Sequence, residues 1–95
     1  MKKKLTLRSI RDKIDHIDDK ILPLMIKRSK LVNLALGAKT KKSQIIDQKR
    51  INKILTKIGS KSKRAKANPS LIKSIWKSMI WNFIDFEKKE FNKRK

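Results

Sequence analysis

The chain has 95 residues, of which 38% are hydrophobic and 38% charged, a balance that favours one helix-rich domain over a disordered or multidomain chain. It contains no cysteine and one histidine, which excludes a disulfide and a thiolate nucleophile and argues against a histidine-rich metal site. No apolar run reaches the ~18 residues of a membrane span, and the N-terminal lysines lead into an amphipathic pattern, so we expect a cytoplasmic protein without a membrane partner.

The formal net charge of +20 comes from 28 Lys and Arg residues against eight Asp and Glu residues. Such a surplus could neutralise nucleic-acid phosphates or steer a small anionic substrate. The cations are poorly focused, because many lie in the basic tails at residues 1–4 and 92–95 and in a predicted loop. We therefore interpret most of them as solvated surface and do not expect nucleic acid to be the main partner.

The first predicted element is a long helix from about Leu5 to about Lys42. Apolar residues recur in steps of three and four from Ile10 to Ala35, which is the spacing of a buried helical stripe. We expect Pro23 to kink this helix rather than end it, because the apolar register continues past it. The remaining residues are too few to cover so long a stripe, so we predict that a second copy of the chain covers it.

Arg28 occupies a step of this stripe where an apolar residue is expected. A guanidinium is costly to desolvate unless it is paired, so the position predicts that an anion meets Arg28. Arg11 and Lys39 share the same helix flank, and the helical rise predicts that Arg11 lies about 26 Å from Arg28. Arg11 could therefore join the other two cations around one small ligand only from an antiparallel partner chain. The alternative for Arg11 is a surface ion pair with Asp15.

The second predicted helix begins near Ser43 or Asp47 and stops at Gly59, and a basic connecting loop follows over residues 60–67. Asp47 and Arg50 are three residues apart and therefore lie on one side of this helix. The pair could belong to a site. Alternatively, Asp47 interacts with the positive end of the helix dipole while Arg50 lies on the solvated face.

The third predicted helix begins with Asn68 as the N-cap and Pro69 in the first turn, and it runs to about Phe91. Glu87 follows Phe83 by four residues and lies on the apolar stripe of this helix. Burial favours the neutral form of a lone carboxyl, which could then donate a hydrogen bond. The alternative is that the helix frays there and Glu87 pairs with a lysine in water.

An ordered set of motifs over residues 7–90 resembles the small bacterial all-helical chorismate mutases. The motifs are Arg11 followed by "I-D-x-I-D", Arg28 in "K-R-S-K-L", Lys39 in "G-A-K", Asp47 and Arg50 in "I-I-D-Q-K-R", and "I-W-K-S-M-I" leading to Glu87. The resemblance implies an all-α, intertwined homodimer of three-helix chains, with two active sites that are each built from both chains. It also implies the rearrangement of chorismate to prephenate in phenylalanine and tyrosine biosynthesis, without a cofactor or a covalent intermediate.

The same resemblance implies roles for particular residues. Lys39 and protonated Glu87 would be catalytic and would both donate to the ether oxygen of the bond that breaks. The substrate-binding residues would be Arg11 from one chain with Arg28, Asp47, Arg50, Ile51 and Phe83 from the other. The arginines would clamp the two carboxylates of chorismate, because a planar guanidinium can hold a carboxylate through two parallel hydrogen bonds. Asp47 would orient the ring hydroxyl.

Two positions depart from the mutase pattern. Ile51 stands where the mutases usually carry a glutamate, and an apolar residue there is similar to the related isochorismate-pyruvate lyases, which form salicylate and pyruvate. Glu87 favours the mutase, because the lyases more often have glutamine at its position. Pro23 lies in a helix that the family keeps continuous. The alternatives are therefore the lyase and, from another class, a basic helical protein that binds nucleic acid.

Overall fold

The computed structural model describes residues 5–94 and contains three α-helices and one short 3₁₀ turn. The helices are α1 (Leu7–Gly37), α2 (Gln48–Arg64) and α3 (Pro69–Lys93), and the 3₁₀ turn is Lys42–Gln44. No strand occurs in this part of the chain. The prediction of an all-α chain with three helices is confirmed. Of the predicted basic tails, residues 1–4 and 95 lie outside the described residues, and Asn92 and Lys93 belong to α3.

Thr6 and Ser9 form two reciprocal hydrogen bonds at the start of helix α1. The hydroxyl of each residue accepts a hydrogen bond from the backbone amide of the other, at 3.1–3.2 Å. It continues through Pro23, as predicted, and ends at Gly37. The predicted end at Lys42 is wrong. The amides of Ala38 and Lys39 bond to carbonyls three residues back, which tightens the last turn and ends the helix. Lys39 therefore lies in the segment that follows α1, and the apolar periodicity could not reveal this.

The chain divides into two compact units, one up to Val32 and the other from Asn33 onward. Within the first unit the described residues form most of α1, and its isoleucine and leucine side chains are 39–68% exposed from Ile10 to Leu31. The second unit contains the buried core, which consists of Leu36, Ile45, Ile51, Ile80 and Ile84. This core joins the end of α1 and the following segment to the packed pair α2 and α3.

Helix α2 passes through Gly59 and ends at Arg64, so the predicted stop at Gly59 is wrong, and the connection predicted over residues 60–67 is confined to residues 65–68. A Cβ at Gly59 would lie 2.9 Å from Cδ of Lys73, so glycine leaves room for the Lys73 side chain of α3. The helix ends in a Schellman arrangement, in which the amide of Ala67 bonds to the carbonyl of Ser62 at 2.9 Å. Lys66 takes the left-handed conformation, with φ of 59°, that glycine usually supplies in this motif.

Helix α3 begins as predicted. The side chain of Asn68 accepts a hydrogen bond from the amide of Leu71 at 3.1 Å, and Pro69 lies in the first turn. None of the helices in residues 5–94 combines the length and the apolar character that crossing a membrane requires. The packing of α2 on α3 leaves the segment between α1 and α2 at the edge of the core, and this segment carries Lys39.

Candidate functional site

The segment between α1 and α2 is anchored at both ends by buried side chains. Leu36 is 1% exposed and Ile45 is 4% exposed, and both belong to the core. Between them, the side-chain oxygen of Gln44 accepts hydrogen bonds from the backbone amides of Thr40 at 2.8 Å and Lys41 at 2.9 Å. These contacts restrain the backbone next to Lys39, so this lysine lies in an ordered segment.

Gln44 is a positioning residue that the sequence analysis missed. Its signal in the sequence is the spacing Lys41-x-x-Gln44 at the start of a helical turn, where a glutamine side chain can reach back to a free backbone amide. The signal was weak because the turn has only three residues. No apolar periodicity marks so short an element.

Lys39 and Glu87 contact each other directly. The ammonium of Lys39 donates to Oε2 of Glu87 at 2.6 Å, and the side chains are 23% and 9% exposed. Glu87 lies on the buried side of α3, well inside the helix, so the prediction of a buried position is confirmed and the alternative of a frayed end in water is wrong. The structure thus brings together the two residues that were predicted to act on the same substrate atom.

A polar pocket opens beside this pair. It has a volume of about 490 Å³, and its lining residues are Lys39, Ser43, Gln44, Ile46, Asp47 and Gln48. This volume is in the range of sites that bind small molecules, ~300–1,000 Å³. Lys39 and Asp47, both predicted site residues, therefore line one cavity at the start of α2.

Asp47 is the N-cap of α2, as expected from the alternative in which it interacts with the positive end of the helix dipole. Its Oδ1 accepts a hydrogen bond from the backbone amide of Arg50 at 3.0 Å. The capping bond orients the carboxylate at the positive end of the helix dipole. Arg50 is exposed one turn into the same helix. Capping uses one carboxylate oxygen, so Asp47 can cap α2 and still face the pocket.

Ile51 lies on the packed face of α2, whereas Phe83 is half-buried on α3. Ile51 is 5% exposed and belongs to the core, so its apolar side chain has a packing role. Phe83 is half-buried on α3, one turn before Glu87. The family resemblance implies that both residues bind substrate, and this role stays a prediction.

Arg11 and Arg28 both lie on α1, in the first unit. Arg11 is exposed and Arg28 is half-buried. Their positions on one helix place them about 26 Å apart along its axis. In the described part of the chain no ion pair joins Arg11 to Asp15, the alternative considered for it. The convergence of these arginines with Lys39 stays a prediction.

Among residues 5–94, no cluster of three His, Asp or Glu side chains is arranged to hold a metal ion. The candidate site therefore consists of Lys39, Glu87 and Asp47, with Gln44 holding the loop between them. Its chemistry is hydrogen-bond donation and charge, since a lysine and a carboxyl pair can stabilise a developing negative charge or move a proton.

One family of known proteins matches most of this chain. The family model described as "Chorismate mutase type II" matches residues 10–88, which is most of the chain and includes every predicted site residue. The search of curated proteins found no match. Because the family match extends over all three helices, the chain belongs to the chorismate mutase type II family.

Proposed function

We propose that the chain converts chorismate to prephenate, a step of phenylalanine and tyrosine biosynthesis. The observation that carries the proposal is the position of Lys39, whose Nζ lies 2.6 Å from Oε2 of Glu87 while the side chain also lines a pocket of small-molecule size. Membership of the chorismate mutase type II family supports the same reaction.

The reaction is a [3,3] rearrangement in which the ether C–O bond breaks while a C–C bond forms within one molecule. The protein contributes by holding the compact conformer of the substrate and by placing donors where negative charge grows. We assign Lys39 to the ether oxygen, because its ammonium needs no proton transfer to stabilise that charge. Glu87, in its protonated form, would be the second donor to the same oxygen.

Chorismate also carries two carboxylates, and these would be bound by arginines. We assign Arg28 and Arg50 of one chain to this role, with Arg11 contributed by a second copy. Arg11 and Arg28 are about 26 Å apart on one helix, so one small ligand cannot contact both in the same chain. The proposed active unit is therefore a homodimer, and Asp47 would orient the ring hydroxyl.

A second candidate is the isochorismate-pyruvate lyase, and Ile51 is the observation in its favour. Because Ile51 is 5% exposed and packs in the core, however, the core alone accounts for an apolar residue at this position. Glu87 favours the mutase, since a protonatable donor beside Lys39 suits stabilisation of the ether oxygen. We therefore place the mutase first.

The test is to supply purified protein with chorismate and isochorismate in separate reactions. We expect prephenate from chorismate, and we expect Lys39→Ala to lower kcat by about 10²–10³-fold, the effect of removing one donor to a developing anion. Lys41→Ala is the matched control, because it removes the same charge two residues away from an exposed position. Salicylate and pyruvate from isochorismate, with no prephenate from chorismate, would establish the lyase instead.

A further inference from the structure

One side of α2 is densely and uniformly basic. Its exposed cations are spaced three or four residues apart and therefore project from the same side of the helix. This surface, called here the basic face of α2, consists of Lys49, Lys53, Lys57, Lys61 and Arg64. It extends about 23 Å along the helix axis.

The extension of α2 to Arg64 creates this face. Had α2 ended at Gly59, Lys61 and Arg64 would lie in a loop and the charges would be scattered, as the sequence analysis assumed. In the structure, α2 continues in helical register past Gly59, so these two cations continue the series that begins at Lys49. The positive charge is therefore more focused than the linear sequence indicates.

The charges on this face are not compensated within the described chain. Helix α2 contains no acidic residue, and no α2 cation forms a side-chain ion pair within residues 5–94. Like charges one turn apart destabilise a helix. An external polyanion would relieve this repulsion.

We propose that the basic face of α2 binds the phosphate backbone of double-stranded nucleic acid without reading its sequence. Lysines dominate the face, and they contact phosphates as point charges. The face carries no aromatic side chain on which an unpaired base could stack, which favours a duplex over a single strand. This surface is separate from the Lys39–Glu87 pair and does not depend on the proposed mutase activity.

The composition of the face argues against two other occupants. A protein partner is held mainly by aromatic or apolar anchors at the centre of an interface, where lysine is depleted, and the face has no such anchor. A membrane surface binds amphipathic helices through their apolar side, and the apolar side of α2 is packed against α3. Phosphate contacts need neither feature.

The test measures binding of the full chain to a fluorescent 20-base-pair DNA duplex at several salt concentrations. We expect a dissociation constant of about 10⁻⁴–10⁻⁶ M near physiological salt, as for sequence-independent binding, and no preference among unrelated duplexes. The triple variant Lys53→Gln, Lys57→Gln and Lys61→Gln should bind at least tenfold more weakly, and the slope of log affinity against log salt should fall by about 1 per lysine removed.

The matched control is Lys13→Gln, Lys20→Gln and Lys27→Gln, which removes the same net charge from exposed positions on α1. Circular dichroism is used to check that both triple variants are folded. If the two variants lose equal affinity, general net charge rather than the α2 face drives binding and the proposal is wrong. The absence of duplex binding by the wild-type chain, or stronger binding to polyglutamate or to anionic vesicles, would also overturn it. Chorismate turnover in the α2 variant, measured in parallel, reports separately on the proposed function.

Discussion

Lys39 and Glu87 depend on each other. Glu87 is 9% exposed at its side chain, and burying a carboxyl so deeply is costly without a partner. Lys39 supplies that partner at 2.6 Å and is in turn held near the core by it. A substrate that takes hydrogen bonds from Lys39 must therefore compete with, or join, this contact. The protonation of Glu87 then decides whether it attracts the ether oxygen or repels it.

Glu87→Gln tests this dependence. Glutamine has the same shape and donates from its amide at any pH, so we expect the variant to keep activity. The measurement is kcat and kcat/KM for chorismate, for the wild-type chain and for the variant. A folded but inactive glutamine variant would contradict the donor role assigned to Glu87.

At the level of elements, helix α2 ends in an unfavourable backbone conformation, and the rest of the fold must offset its free-energy cost. Lys66 has φ of 59°, a conformation that is less favourable by roughly 1–2 kcal/mol for residues other than glycine. The motif forms nevertheless, because it satisfies carbonyls at the end of α2 and leads directly into the Asn68 cap of α3. The four residues between the helices are therefore set by tertiary packing of α2 on α3.

Lys66→Gly should stabilise the chain by about 1 kcal/mol, because glycine adopts the left-handed conformation without steric cost. For a domain of this size, that corresponds to a rise in Tm of about 4–8 °C. Lys63→Gly, inside the last turn of α2, is the control and should lower Tm, because glycine is unfavourable within a helix. Thermal unfolding followed by circular dichroism measures both. A lower Tm for Lys66→Gly would show that the lysine side chain itself stabilises the turn.

At the level of the whole molecule, α1 is the element that predicts a second copy. Its isoleucine and leucine side chains from Ile10 to Leu31 are 39–68% exposed, and such an apolar stripe is typical of a surface that another chain covers. The proposed dimer would cover this stripe and bring Arg11 of the partner subunit to Lys39. Dimerisation and catalysis would then share one interface.

Mixing two inactive variants tests the shared site. If each site takes Arg11 from one chain and Lys39 from the other, a heterodimer of Arg11→Ala and Lys39→Ala chains contains one intact site and one doubly defective site. Unfolding and refolding an equal mixture should therefore restore about a quarter of wild-type activity, since half of the dimers are mixed and each has one working site. Each variant refolded alone is the control. No recovery, from chains shown to form mixed dimers, would place Arg11 and Lys39 of one site in the same chain.

The amino-acid sequence alone determined the helical class and the start of α3, and it narrowed the start of α2 and the setting of Glu87 to two alternatives each. Each depends on local information, namely apolar periodicity, the Asp47 and Asn68 caps, and the position of Pro69. The family resemblance added the candidate residues. Only the tertiary structure decided where α1 ends, how far α2 continues, and that Lys39 meets Glu87. Lys39 and Glu87 are 48 residues apart in the chain, so only the folded chain brings them together. The end of α2 depends on a left-handed Lys66 that no local preference predicts.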